Sequence, residues 1–158
     1  MNKVFMVVGP QSSGTNMMQE ILRQAGCAVH KDGLPMQRCD LVWRTSIPEA
    51  GSFPLLVSQQ LKWRREGYKV VPLIMTRDWN AIVQSQIKRA YVNSREIAEG
   101  EIREAYRFAF TQCSGFIAVS YESFCTSREF RKWLFEERLG LPLVEDFQIY
   151  YANGQYYE

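Results

Sequence analysis

The sequence is 158 residues long, 46% of them hydrophobic and 23% charged, and its net charge is only +2. A chain of this length and apolar content can bury a sizeable core, so we expect one domain spanning residues 1–158. Because basic and acidic residues are mixed along the chain, its charge indicates neither a nucleic-acid partner nor attachment to a membrane surface.

Apolar runs and helical patterns alternate along the whole chain. The patterns predict strands over 4–8, 27–30, 40–44, 68–76 and 116–120. They predict helices over 15–25, 55–66, 79–91 and 93–113, and a last helix that begins near residue 126 and stops by residue 140. The segments 31–38 and 45–54 are expected to be loops. Strands that alternate with helices at this spacing imply an α/β fold of three layers, with a mostly parallel sheet flanked by helices.

The first predicted strand runs directly into a turn bounded by two glycines. Gly9 and Gly14 have the spacing G-x-x-x-x-G, and a helical pattern begins right after the second glycine. In such a turn, successive backbone N–H groups can surround an anion while the new helix directs its positive N-terminal end at the same point. The sequence therefore indicates an anion-binding loop over residues 9–16. The alternative is a tight turn that uses its glycines only for geometry.

The residues after Gly14 narrow the class of ligand. A nucleoside triphosphatase loop would continue with Gly-Lys-Ser/Thr, whereas Thr15 and Asn16 follow the glycine here. Mg²⁺-dependent phosphoryl transfer would therefore lack its lysine and its metal-binding hydroxyl. A transferred sulfuryl group carries less negative charge than a phosphoryl group, so a loop of neutral donors without a metal suits it better.

A second candidate site follows the predicted strand 68–76. Arg77 lies at the junction between this strand and a helix for which Asp78 is the expected N-cap. Ser85 lies about two helical turns further on. An anion near the start of this helix would therefore meet both Arg77 and Ser85 only if the chain brings them to one side. The alternative is that Arg77 is a surface cation beside a helix N-cap.

Two later helix starts carry capping patterns. Two residue pairs have the spacing of an N-cap and its N3 partner, namely Asn93 with Glu96 and Thr126 with Glu129. We therefore expect helices to begin at these two positions.

The cysteines and the one histidine argue against a metal centre. The four cysteines form no C-x-x-C pair, and His30 is the only histidine, so a zinc site is not expected and the thiols should be reduced and mostly buried. The apolar run at the N-terminus is too short for a signal sequence, and no other run approaches the length of a membrane span. These features indicate a cytoplasmic protein that is not bound to a membrane.

Several stretches in this order resemble the sulfotransferase family of P-loop folds. Residues 9–16 (GPQSSGTN) are similar to its 5′-phosphosulfate loop, of the type G-P-Q-K-[ST]-G-T-T found in heparan sulfate sulfotransferases. Thr76-Arg77-Asp78, with Ser85 eight residues after the arginine, is similar to the 3′-phosphate motif R-[DN]-P and its serine. Three later stretches are similar to V-x-Y-E-[DS]-[LF], L-G-L-P and N-x-K-Y, namely 120–124, 139–142 and 153–156.

The resemblance implies a donor and a reaction. The donor is 3′-phosphoadenosine 5′-phosphosulfate, and its sulfuryl group passes to a hydroxyl or amine of a small-molecule or glycan acceptor, without a metal. The donor-binding residues that the resemblance implies are Gln11, Ser12, Ser13, Gly14, Thr15, Asn16, Arg77 and Ser85. In-line transfer also requires a base for the acceptor proton, and cationic or N–H donors at the bridging oxygen.

The chain departs from the family pattern at residues that carry the chemistry. Ser12 stands where the family usually has the lysine or arginine of the loop. Residues 44–48 (RTSIP) resemble the cytosolic K-T-H-L-P, and Ser46 therefore stands at the position of the catalytic histidine. A serine cannot serve as a base at neutral pH without help.

Three other residues are candidates for the missing roles. Arg44 keeps a positive charge at the place of the family lysine and could stabilise the leaving oxygen. Glu49, three residues beyond Ser46, could act as the base, since other branches of the family use a glutamate. His30 is the second candidate base, because an imidazole titrates near neutral pH and this one follows a predicted strand. The alternatives are a solvated loop carboxylate for Glu49 and a structural or surface role for His30.

Two functions of different class therefore remain open. The first is an active sulfotransferase with an unusual base. The second is a P-loop protein that binds a nucleotide or another phosphate ligand without transferring anything, which the absent loop lysine and histidine favour. A small-molecule or nucleotide kinase is a third function, weakened by the absence of Gly-Lys-Ser/Thr. No residue pattern selects one acceptor or one oligomeric state.

Overall fold

The computed structural model describes residues 1–31, 39–47, 56–145, 152–153 and 155. Within them, five strands form one all-parallel sheet in the order β2-β3-β1-β4-β5. The strands are β1 (Lys3–Pro10), β2 (Ala28–Val29), β3 (Leu41–Ile47), β4 (Lys69–Thr76) and β5 (Ile117–Ser120). The α-helices are α1 (Thr15–Gln24), α2 (Leu56–Arg65), α3 (Trp79–Lys88), α4 (Arg95–Gln112), α5 (Tyr121–Thr126) and α6 (Arg128–Lys132), and a π-helical segment, Trp133–Leu139, follows α6 directly. The expected three-layer α/β fold is confirmed.

Strand β1 is the centre of the sheet. It pairs in parallel with β3 on one side and with β4 on the other. The chain leaves β1 toward one side of the sheet and later returns to the other side, so its connections diverge at the carboxyl end of β1. In open parallel sheets, ligands bind at such a point, outside the carboxyl ends of the strands.

Alternate residues of β1 contribute to two hydrophobic cores, one on each face of the sheet. On one face, Phe5 and Val7 pack with α1, α5 and the π-helical segment. On the other face, Val4, Met6 and Val8 pack with α2 and α4. Burial on both faces explains why the sequence of this strand is continuously apolar rather than alternating.

Strand β3 is longer than the sequence indicates. Strand β3 continues through Thr45, Ser46 and Ile47 and pairs with β1 as far as the end of β1. The residue pattern assigns these three residues to a loop. The prediction of a loop here was wrong because polar side chains interrupt the apolar pattern, whereas pairing with β1 decides the backbone. The remainder of that predicted loop, 48–54, and residues 32–38 of the earlier one lie outside the described residues.

Two helices begin one residue later than their capping patterns predict. Ser94, rather than Asn93, caps α4, and Ser127, rather than Thr126, caps α6. In each case the serine hydroxyl accepts a hydrogen bond from the backbone N–H three residues further on. Serine, asparagine and threonine are all good caps, and the backbone of Ser94 and that of Ser127 are extended before their helices, as an N-cap requires. Helix α5, which lies before α6, was not predicted.

Helix α3 ends in a left-handed turn that is closed by an alanine. Ala90 has a φ of 55°, and its N–H and that of Tyr91 donate hydrogen bonds back to carbonyls of the last helical turn. Gly26 and Gly67 close α1 and α2 with the same pair of hydrogen bonds and with positive φ angles. The helix therefore stops before Tyr91, where the apolar pattern extends it, and Ala90 occupies a conformation that favours glycine.

We expect Ala90→Gly to raise the free energy of unfolding by about 0.5–1 kcal/mol, because relief of the left-handed strain exceeds the added entropy of the unfolded chain. Urea denaturation of the two proteins measures the change. Gly26→Ala is the matched control. A methyl group there meets no atom within 4 Å, so the expected loss of stability is purely conformational. A destabilised Ala90→Gly protein would contradict this account of the turn.

Candidate anion-binding site

The loop between β1 and α1 is built on its two glycines. Gly14 has a φ of 98°, and a methyl group there would lie 2.8 Å from Cδ2 of Tyr121. Gly9 is restricted by space instead, because a methyl group would lie 2.4 Å from Oγ of Ser13 and 2.9 Å from the carbonyl oxygen of Met75. The loop is therefore packed tightly against β4 and α5, and its path leaves no room for side chains at these two positions.

The loop's own carbonyl groups are bound within the protein. The carbonyl of Pro10 accepts a hydrogen bond from the N–H of Ser13 at 3.1 Å. The carbonyl of Gln11 accepts from Nε2 of Gln86 at 3.0 Å. The carbonyl of Ser12 accepts from Nη1 of Arg77 at 2.8 Å. Three consecutive carbonyl oxygens, whose partial negative charge would oppose an anion, are thus occupied by donors.

The N-terminus of α1 differs from those of the other capped helices. Four of the other helices are capped by a side-chain oxygen, and the capping residues are Asp78, Ser94, Ser120 and Ser127. At α1 the capping position is Gly14, no side chain accepts from the first turn, and this turn holds no acidic residue. Its N–H groups, together with the helix dipole, therefore favour an anion. Oγ of the neighbouring Ser12 has no hydrogen-bond partner among the described residues.

A cation on β3 reaches the start of α1 through two hydroxyl groups. Nη1 of Arg44 donates to Oγ of Ser46 at 3.1 Å, and Oγ of Ser46 lies 3.1 Å from Oγ1 of Thr15. Ser46 pairs with Gly9 in the register of the sheet. Nε of Arg44 is buried and has no partner among the described residues. Arg44 is therefore linked through Ser46 to Thr15 at the start of α1.

Arg77 is brought to the opposite side of the loop. Besides the bond to Ser12, its Nε donates to Oδ1 of Asn153 at 2.7 Å. Its guanidinium carbon lies 4.4 Å from the centroid of the Tyr121 ring, which is a cation–π contact. Arg77 therefore holds a fixed orientation beside the loop and is no free surface cation.

Ser85 lies in the part of α3 that contacts the loop. Its side chain is 1% exposed, and its Oγ has no hydrogen-bond partner among the described residues. The next residue, Gln86, donates to the carbonyl of Gln11. The structure thus brings this turn of α3 to the loop, although the hydroxyl of Ser85 is buried rather than open. Asn16, by contrast, is exposed at the start of α1.

Of the two candidate bases, only His30 is among the described residues, and it lies away from the loop. Glu49 lies outside the described residues. His30 is 6% exposed, and its ring makes an edge contact with Trp63, with 6.4 Å between the ring centroids. Its N–H donates to the carbonyl of Val42, four residues before Ser46 on β3, a separation of about 13 Å along a strand. The structure places His30 with the aromatic side chains beside α2 and does not bring it to the loop.

Two tyrosines near Arg77 act as neutral hydrogen-bonding groups. Burial raises the pKa of Tyr106 and that of Tyr121. The hydroxyl of Tyr106 accepts from the N–H of Arg77 at 3.3 Å, and that of Tyr121 accepts from the N–H of Ala152 at 3.1 Å. Because both phenols stay protonated at neutral pH, neither is suited to take a proton from an acceptor.

Four residues of this site carried no assigned role in the sequence analysis. They are Ser46, Gln86, Glu122 and Asn153. Glu122 accepts hydrogen bonds from Asn153 and from the N–H of Asp78, so it belongs to the surroundings of Arg77. A weak signal existed for Glu122, since it comes right after a predicted strand, where parallel sheets carry their sites. Asn153 follows no predicted element, but it lies in the stretch 153–156 that resembles N-x-K-Y, as Glu122 lies in the stretch 120–124 that resembles V-x-Y-E-[DS]-[LF].

A scan of the sequence against models of known protein families finds no match, and a search of curated proteins finds none either. The fold and the loop define the class: a three-layer α/β protein with a glycine-bounded loop between β1 and an uncapped α1. The described residues contain no group of three His, Cys, Asp or Glu side chains that could hold a metal ion. None of the helices in this part of the chain is long and apolar enough to cross a bilayer.

Proposed function

We propose that the loop binds the 5′-phosphosulfate end of 3′-phosphoadenosine 5′-phosphosulfate, and that the protein transfers the sulfuryl group to a hydroxyl or amine acceptor. The observation that carries this proposal is the uncapped N-terminus of α1, beside a loop whose carbonyl groups are already bound elsewhere. A set of backbone N–H donors stabilises a singly charged sulfuryl group without a metal. The resemblance of residues 9–16 to a 5′-phosphosulfate loop supports the same ligand.

Arg44 supplies the charge that the loop itself lacks. In the proposed reaction, the bond between sulfur and the bridging oxygen breaks, and negative charge develops on this oxygen, which stays with the departing phosphate. The guanidinium of Arg44 is linked through Ser46 to Thr15 at the start of α1, so it lies within two hydrogen bonds of the loop. This contact supports Arg44 in the stabilising role that the lysine or arginine of the loop has in the family, at the position where Ser12 stands here.

Arg77 and Ser85 are the proposed site of the 3′-phosphate. Arg77 adds positive charge beside the loop while its Nε and Nη1 remain bound to Asn153 and Ser12. Ser85 lies next to Gln86, which contacts the loop, and its buried hydroxyl has no hydrogen-bond partner among the described residues. Glu49 remains the proposed base, and the acceptor is a small molecule or a glycan. The proposal places the protein in the cytoplasm.

A second candidate is a protein that binds the same nucleotide without transferring its sulfuryl group. This alternative is favoured by the orientation of His30, and by the raised pKa values of Tyr106 and Tyr121. Glu122 is a described carboxylate near the loop, and both of its oxygens already accept hydrogen bonds. It is therefore not placed to act as the base. The third candidate, a Mg²⁺-dependent kinase, is disfavoured because Thr15 and Asn16 follow Gly14, where a kinase loop has its lysine and its metal-binding hydroxyl.

The experiment that tests the proposal is a calorimetric titration with 3′-phosphoadenosine 5′-phosphate, the product left after transfer. We expect micromolar binding, because two phosphate groups meet Arg77 and the N-terminus of α1 together. Adenosine 5′-phosphate and ATP with Mg²⁺ are the matched ligands, and both should bind at least tenfold more weakly. Tight binding of ATP with Mg²⁺ and none of the bisphosphate would overturn the proposal in favour of a kinase.

A further inference from the structure

We propose that Glu122 and Asn153 are positioning residues, which hold the anion-binding loop in shape by orienting Arg77. This inference rests on the proposed function only in that the loop binds an anion. It assigns a role to a carboxylate beside an anion site, where its charge alone would be unfavourable. It also makes a residue from the far end of the chain part of the site.

The carboxylate of Glu122 is fixed by three donors. Its Oε1 accepts from the N–H of Asp78 at 2.8 Å and from Nδ2 of Asn153 at 2.7 Å. Its Oε2 accepts from Oγ of Ser120 at 3.2 Å. A carboxylate held at both oxygens cannot rotate, so it presents a fixed acceptor to the side-chain amide of Asn153.

Asn153 passes this orientation on to Arg77. Its side chain is buried, with 2% exposed, and its Oδ1 accepts from Nε of Arg77 at 2.7 Å. Only one orientation of the amide satisfies both neighbours, because the carboxylate requires the NH₂ group and the guanidinium requires the oxygen. Asparagine is therefore specifically suited to this position, and aspartate, with the same shape, is not.

Arg77 in turn fixes the loop. Its Nη1 donates to the carbonyl of Ser12, and Ser12 has a φ of 69°, a left-handed conformation that serine rarely adopts. A strained residue persists only where its surroundings hold it. If Arg77 swings away, Ser12 can relax, and the peptide N–H groups that follow it then turn away from their common point. The orienting chain thus runs from Glu122 through Asn153 and Arg77 to Ser12.

The affinity of a Glu122→Ala variant separates positioning from simple electrostatics. Removal of a negative charge near an anion should strengthen binding of 3′-phosphoadenosine 5′-phosphate, whereas loss of positioning should weaken it. We expect binding to weaken about tenfold, and Glu122→Gln, which keeps an acceptor oxygen, to restore most of it. Glu129→Ala is the control, an exposed glutamate in the first turn of the next helix. Stronger binding by Glu122→Ala would overturn the proposal.

Asn153→Asp gives a second test, at a residue outside the helices and strands. The new carboxylate lies against that of Glu122, and two carboxylates that share a site must share a proton. We expect the amide resonances of Ser12, Ser13 and Gly14 in ¹H–¹⁵N spectra of the ligand-free protein to match those of the wild type at acid pH and to move away as the pH rises. The wild-type resonances should not show this transition. The proposal would be overturned if the loop resonances of Asn153→Asp and Asn153→Ala coincided with those of the wild type at every pH.

The two readouts separate this inference from the proposed function. The spectra of the ligand-free variants test the positioning of the loop without any ligand. If the wild type fails to bind the bisphosphate but the loop resonances of the variants move as described, the proposed function is wrong and the positioning role stands. If the wild type binds and the variants bind equally well with unchanged spectra, the positioning role is wrong and the proposed function stands.

Discussion

Replacement of Gly9 by alanine is expected to lower the free energy of unfolding by about 2–3 kcal/mol and to abolish anion binding. The added methyl group would lie 2.9 Å from the backbone oxygen of Met75 and 2.4 Å from Oγ of Ser13. The serine hydroxyl can rotate away, but β4 cannot move without breaking its pairing with β1. The end of β1 must shift instead, and the loop that begins there shifts with it.

Thermal and urea denaturation measure the loss of stability, and calorimetry measures the binding. Gly100→Ala is the matched control, because the same methyl group in the middle of α4 meets no atom within 4 Å. It should raise the free energy of unfolding by about 0.5–1 kcal/mol, the difference in helix propensity between the two residues. A Gly9→Ala protein that is as stable as the wild type and binds the bisphosphate would contradict the close packing of the loop.

The Arg77→Ala variant is expected to bind 3′-phosphoadenosine 5′-phosphate about 100-fold more weakly and to be about 2 kcal/mol less stable. The substitution removes the donor to the carbonyl of Ser12 and the donor to Asn153, and it leaves Tyr121 without its cation. The carboxylate of Glu122 then faces the site without a compensating charge nearby.

Arg77→Lys should recover little of either loss, since an ammonium group cannot make the two directed bonds while stacking on the Tyr121 ring. Arg107→Ala is the control for removal of an arginine. Arg107 is exposed on α4 and pairs with Glu104 one turn away, so its loss should change stability by less than about 0.5 kcal/mol. Equal affinities of the wild type and Arg77→Ala would show that the cation has no part in binding.

The strand, loop and helix at the N-terminus could be predicted because their signals are local. A continuous apolar run marks a strand that is buried on both faces, and two glycines at fixed spacing mark the loop. Asp78 was also predicted correctly as a cap, because capping depends on residues within one turn. The three-layer arrangement follows from the alternation of strands and helices alone.

The surroundings of Arg77 could not be predicted in the same way. Its partners Ser12 and Asn153 lie 65 and 76 residues away in the chain, and only the assembled sheet brings them together. The sequence also left open whether Arg77 was a surface cation, because a single arginine at a helix start carries no information about distant acceptors. Polar residues of β3 misled the prediction for Ser46, since its strand conformation depends on pairing with β1.

The most direct test of the account is to map where 3′-phosphoadenosine 5′-phosphate binds, by titrating it into ¹⁵N-labelled protein and following the backbone amide resonances. We expect the largest shifts to fall on residues 9–16 and on Arg77, and the amides at the start of α1 to move downfield as they donate to the anion. No shifts at millimolar ligand, or shifts confined to residues remote from the loop, would contradict the assignment of this loop as the anion site.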